Sequence, residues 1–286
     1  MKIKTLMAVG CLSLSMLIVT RIVLANGLNP LGQAQANQSF RESQNIYPAT
    51  AIRSNGPITR HVFLPLVVRS DICVPTGETY ATLPPNNPFS GDASTQPDFN
   101  LAVRGYQPTS AALSLVDYAG SIDPAAPQLY TLFGDNRTPT FKAAYQVYRW
   151  DWTCNCRGGP ILKWAVTLLG MATRPGELIH APVAGYDIGG GYGMMVLYAE
   201  QHRLTLQYTR DDGVTTGYTI HLENICVDPN LLALYRTSNA NGRSELPVLF
   251  PDQPLGRAIS SEIDAAVRDG GSFLDPRSRK DWWQGR

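Results

Sequence analysis

An excess of charge of either sign is what this chain most clearly lacks. Only 16% of its 286 residues are charged, and 24 Lys+Arg stand against 23 Asp+Glu. A protein that grips nucleic acid electrostatically needs a basic stripe to displace counterions from phosphates, so that class is excluded. A long apolar run is missing too. The stretch from Thr5 to Thr20 is short and serine-bearing for a membrane span, and Arg21 closes it. There is no internal repeat, no phosphate-cradling glycine loop and no Gly-x-Ser-x-Gly elbow. What the chain does have is 25 glycines, 21 prolines and 44% hydrophobic residues. That mixture suits many turns between short strands rather than a helical bundle.

The N-terminus points to export. Lys2 and Lys4 form a basic start, an apolar run follows, and Val23-Leu24-Ala25 offers the residues a signal peptidase reads. Residues 1–25 are therefore expected to be a signal peptide. The alternatives are a retained anchor, or lipidation at Cys11. Loss of Lys2, Lys4 and Arg21 leaves 21 basic residues against 23 acidic ones, a net −2. The expected location is outside the cell or in its envelope, with a cell-wall or extracellular polymer, or an envelope protein, as partner. Contact with a membrane is expected only through an uncleaved N-terminus. Four cysteines remain: Cys73, Cys154, Cys156 and Cys226. An even number in an exported chain reads as two disulfides. Cys154-Asn155-Cys156 has a spacer of one where a zinc pair needs two or more. Cys73 should tie the start of the fold to one of the later cysteines; four cysteines allow three pairings.

Residues 26–60 are polar and small and read as a disordered tether. Residues 61–160 read as a smaller α+β segment and 161–286 as a mainly β domain of barrel or sandwich-hybrid type with a few short helices. His61 to Val68 is β-prone and 83–100 is loop. Ser110 to Tyr118 and Pro124 to Phe133 space their leucines and valines as helices do. Phe141 to Trp152 and 178–183 alternate, 164–171 is apolar, and 194–199 is a run of the buried type. Leu204 to Tyr208 should pair with Thr215 to Leu222 across Asp211-Asp212-Gly213, residues that tolerate positive φ. One helix is expected over Pro229 to Arg236, capped by Asp228.

Several segments, in order, resemble the lysostaphin-type zinc endopeptidases of duplicated-hybrid-motif fold. They are Gly176-Glu177-Leu178-Ile179-His180-Ala181-Pro182-Val183-Ala184-Gly185, Gly191-Tyr192-Gly193-Met194-Met195-Val196, and the strand from Asp212 to Leu222 with its Tyr-x-x-His-Leu end. Gln253-Pro254-Leu255-Gly256 and Val267 to Pro276 complete the set. The resemblance runs over about 164–276. It implies a β fold that cuts wall cross-bridges with zinc, and it places the zinc-holding positions at Thr167, Met171 and Asp264, the last within Glu262-Ile263-Asp264. Thr167 and Met171 do not ligate zinc, so the resemblance implies a scaffold that has lost its metal chemistry. It leaves His221, a catalytic assistant in that family, as the one surviving site histidine.

Two readings of Glu262 and Asp264 stay open. On a strand, residues i and i+2 share a face, so both carboxylates could join His221 in holding a divalent ion or working as an acid/base pair. The simpler reading takes Ser261 as an N-cap and the two acids as the first turn of a helix. His61, His180 and His202 show no ligand spacing. Trp150-Asp151-Trp152 and Asp281-Trp282-Trp283 could stack on sugar rings, with Arg277-Ser278-Arg279-Lys280 as a neighbouring basic patch, or could simply pack a core. The sequence thus supports a non-catalytic peptidase-like binding protein for glycan, peptide or a partner, with no cofactor expected. Glu262, Asp264, Trp282 and Trp283 are its candidate binding residues. The alternatives are a remodelled metal-assisted hydrolase using His221, Glu262 and Asp264, with zinc or another divalent ion, and a structural surface module.

Overall fold

The computed structural model describes residues 73–286. The expected signal peptide, lipidation site, tether and His61 to Val68 strand lie outside the described residues. Where strands are, alternation put them. In Leu204, Leu206, Ile220, Leu222, Ile263, Ala265 and Val267, every second residue of three neighbouring strands is apolar and fully buried. The strands are β1 (Ala81–Leu83), β2 (Tyr106–Pro108), β3 (Phe141–Asp151), β4 (Cys156–Pro160), β5 (Leu168–Ala172), β6 (Leu178–His180) and β7 (Met194–Glu200). They continue with β8 (Arg203–Gln207), β9 (Tyr218–Glu223), β10 (Ile225–Val227), β11 (Leu246–Leu249), β12 (Pro254–Ala258), β13 (Glu262–Asp269) and β14 (Ser272–Leu274). The helices are α1 (Leu101–Arg104), α2 (Pro229–Ala240) and α3 (Arg279–Trp282), with a 3-10 turn at Leu129–Leu132.

The protein is mainly β. An antiparallel sheet runs β1-β11-β7-β8-β9-β13-β5-β3-β2, with β14 on β13 and β4 on β3; a second, three-stranded sheet is β10-β12-β6. Strands β1 to β4 belong to the same sheet as β5, β7 to β9, β11, β13 and β14, so the larger sheet crosses the expected boundary at 160/161. Among the described residues no helix is long and apolar enough to cross a membrane.

Helix α2 starts where the sequence places it. Asp228 accepts from the backbone of Asn230 and Leu231, and Pro229 needs no donor at the first turn. It runs four residues past Arg236, to Ala240, and the buried face of Leu231, Leu232 and Tyr235 continues at Ser238. The other expected helices do not form. The Ser110 to Tyr118 segment is irregular, with a bend at Leu113 and Ser114: Val116 bridges Ser278, the Val116 amide donates to the Arg277 carbonyl, and the buried Arg277 guanidinium donates to the Ala112 carbonyl. Tertiary partners override a weak helical propensity there. Between Pro124 and Phe133 only the 3-10 turn survives, flanked by bridges from Gln128 to Val183 and from Phe133 to Ile179.

Strands β8 and β9 pair as expected, but the turn residues act differently. Positive φ falls at Gly217, while Asp212 turns inward and receives the buried Arg243 guanidinium. Gly256 is required by close packing: a β-carbon there would lie 2.3 Å from the Cys226 carbonyl oxygen on the neighbouring strand. Both disulfides form, Cys73–Cys226 and Cys154–Cys156.

Candidate functional site

The face of β8, β9 and β13 opposite the apolar one is polar. Register aligns Arg203, Glu223 and Asp264 in one row, Thr205, His221 and Ala266 in the next, and Gln207, Thr219 and Arg268 in a third. The Ser261 to Ala266 segment is a strand, so the helix-start reading is overturned. Its Ser-Glu-x-Asp pattern imitates a cap, but Ile263 and Ala265 supply a strand's alternation and β5 and β9 hold it on both sides. Glu262 and Asp264 therefore do share a face with His221.

That face is closed. His221 is 1% exposed. Its Nδ1 lies 3.0 Å from Thr205 Oγ1, and the Thr205 hydroxyl donates to the Phe99 carbonyl at 2.6 Å. With that single proton committed, Nδ1 must carry the imidazole hydrogen and donate to Thr205. This leaves Nε2 as a buried acceptor without a hydrogen-bonding partner. The ring stacks on Phe273, centroids 5.9 Å apart. Burial, then the charges of Arg268 and Arg104, hold its pKa well below the usual histidine value, so the ring is neutral.

The cover is the chain's own 97–104 segment. Arg268 donates to Asp98 Oδ1 at 2.9 Å and Arg104 binds the same carboxylate; Arg104 Nε also donates to the Pro97 carbonyl. Burial opposes the charge on Asp98, but Arg268 and Arg104 outweigh it and hold its carboxyl below the usual range. Asn100 caps α1 and donates to the Tyr198 hydroxyl.

The acidic row is half-closed. Arg203 Nε donates to Glu223 at 3.1 Å, yet burial exceeds that help and pushes the Glu223 carboxyl up to about 7. Asp264 is pushed up to about 8 by burial and then by the neighbouring Glu262 charge. Its Oδ2 accepts from Asn224 at 2.8 Å, whereas its Oδ1 has no hydrogen-bonding partner. The Tyr145 hydroxyl donates to Glu262 at 3.4 Å.

Zinc does not fit the positions carried over from the resembled family. Thr167 Oγ1 is buried and accepts the Val147 amide. Met171 lies opposite Ile263 on the apolar face, while Asp264 lies opposite Gly170 on the polar one. Met171 and Asp264 thus point to opposite sides of the sheet. Among the described residues, one set of three His, Cys, Asp or Glu has its ligand atoms all within 4.8 Å: Cys73, His202 and Cys226, whose two sulfurs are joined to each other. His221, Glu262 and Asp264 share a face without converging.

The tryptophans divide. Trp282 and Trp283 are buried, and their indole nitrogens donate to the Asp275 and Pro276 carbonyls. Neither ring is exposed on the surface, in contrast to the open stacking face a sugar reader presents. The neighbouring basic patch is also spent: Arg277 chelates Asp275, Arg279 pairs with Asp117 and Lys280 with Asp281. Trp152 is instead 57% exposed at the tip of the β3–β4 hairpin.

A groove of about 530 Å³ opens between the start of β3 and the β5–β6 turn. Arg137 crosses it, 2.6 Å from Glu177 and 2.8 Å from Asp135, with its guanidinium over the Phe133 ring. Arg174 is exposed at the rim, and its backbone amide donates to Glu177. His180 Nδ1 lies 2.8 Å from the Asp252 carbonyl, and Nε2 faces Gly134. No sequence signal marks this groove, because its charges come from two separate loops, Asp135 and Arg137 from one and Arg174 and Glu177 from the other. Comparison with known protein families, with curated proteins and with solved structures finds no match.

Proposed function

We propose that the chain is an exported, non-catalytic peptidase-like protein that binds a peptide or peptide-bearing polymer of the cell envelope. The observation that carries this reading is the sealed imidazole. A catalytic assistant must reach substrate, and His221 lies under Asp98, Phe99 and Phe273 with its one hydrogen bond satisfied inward. The binding surface is the open groove. Its volume falls within the range of ligand sites, and Arg137, Arg174, Glu177 and Asp135 present both signs of charge, as a zwitterionic peptide requires.

The test is co-sedimentation of the full chain with purified cell-wall polymer, with metal analysis and a cleavage assay on the same sample. Retention without cleavage, weakened by Arg137→Glu, is expected. Stoichiometric zinc with cross-bridge cleavage would restore the hydrolase reading. The burial of His221 favours a second reading, a structural surface module; that reading stands if the wild-type chain is not retained at all.

A further inference from the structure

The two disulfides do different work. Cys73–Cys226 spans 153 residues of sequence and Cys226 is buried in the core. Cys154–Cys156 spans two and lies on a tip where every residue from Asp151 to Arg157 is exposed. It fastens nothing that the ladder does not already hold, since Asp151 pairs with Cys156 and Trp150 with Arg157. A disulfide that is exposed and structurally idle is open to attack by an incoming thiolate.

The tip also carries a docking surface. Trp150 and Trp152 meet edge to face with centroids 6.5 Å apart, and Asn155, the residue between the two cysteines, accepts from the Trp150 indole at 3.2 Å. The two tryptophans, with Arg149, Asp151, Thr153 and Gly158, line a concavity of about 460 Å³. Two rings held beside a reactive disulfide suit an extended polypeptide with an apolar residue near a cysteine.

We propose that Cys154–Cys156 is a thiol–disulfide exchange site for cysteine-bearing polypeptides docked on Trp150 and Trp152. A substrate thiolate attacks one Sγ; the Cys154–Cys156 bond breaks as the mixed disulfide forms, and the other Sγ leaves as a thiolate and takes up a proton. A second substrate thiolate then attacks the substrate sulfur of the mixed disulfide and expels the remaining protein thiolate, which is protonated in turn. Two substrate thiols are oxidised to a disulfide, and Cys154–Cys156 accepts the two electrons and two protons. The glycan that such rings could also stack on has no thiol, which is why the polypeptide is favoured.

The test mixes the full oxidised chain with a synthetic peptide carrying two cysteines and one tryptophan, without oxygen. Expected is one equivalent of peptide disulfide per chain, formed about tenfold faster than by oxidised glutathione at equal concentration. Peptide mapping should find new thiols at 154 and 156 and none at 73 or 226. Cys154→Ser/Cys156→Ser abolishes the reaction, and Trp152→Ala slows it several-fold while the circular dichroism spectrum is kept. Three outcomes overturn the proposal: a wild-type rate equal to that of the double variant, reduction at Cys73–Cys226 instead, or a Trp152→Ala chain that loses soluble-glycan binding but oxidises the peptide at the wild-type rate.

Discussion

The polar sheet face and the β3–β4 hairpin hold the side chains with the most chemistry, and they sit at opposite extremes of access. Around His221, Thr205, Thr219, Glu223, Asp264 and Arg268 are buried, and the face is covered by an ion cluster in which Arg268 meets Asp98 and Arg104 of the chain's own earlier segment. At the hairpin, a disulfide and a tryptophan are offered to solvent. The difference teaches that a residue's type says little about its use until the fold decides what can touch it. A histidine without a path to solvent behaves as a packing residue with one hydrogen bond.

The largest effect should come from breaking the seal. Arg268→Ala strips Asp98 of one cation and leaves the Gly271 carbonyl unpartnered, and removing one member of a buried charge cluster costs about 3–5 kcal/mol. The denaturant midpoint reads the loss; a histidine-selective reagent should then modify His221, which the wild-type chain protects. Next, Cys73→Ser/Cys226→Ser opens a long loop and should cost about 5 kcal/mol by loop entropy, against about 1.5 kcal/mol for Cys154→Ser/Cys156→Ser. Equal losses in thermal melts would erase the contrast between the two bridges.

A smaller effect is expected from pH. In the folded state Glu223 and Asp264 keep their protons up to about 7 and about 8, whereas in the unfolded chain they release them near 4.5 and 3.8. The folded form therefore binds more protons through that window, and stability should fall as pH rises from about 4 to about 8. His221, neutral when folded and depressed below 6.5, acts the other way and takes stability away as pH drops below 6.5. Asp264→Asn should flatten the alkaline decline; an unchanged profile would show that Asp264 does not hold the proton. Smallest is Trp152→Ala, a surface change within about 0.5 kcal/mol in stability.

The pairing of β8 with β9 and the capped start of α2 were legible because each is local. The Ser261 to Ala266 segment was not, since a short run of serine and acids satisfies a helix cap and a strand face equally until neighbours arrive. Burial was not legible either. Trp282 and Trp152 both sit beside an aspartate in an aromatic pair, yet only the former finds a carbonyl inside the fold. His221 was legible as a face residue and illegible as a sealed one, because Phe99 and Asp98 come from more than a hundred residues away in the chain.

The missing side chain at Gly256 carries a demand of its own. Any larger residue would drive β12 away from β10, and β10 holds the cysteine through which the start of the described chain is anchored. One hydrogen atom on a backbone thus governs where a distant segment is moored, so a saturation library at this codon should return glycine alone among well-folded clones.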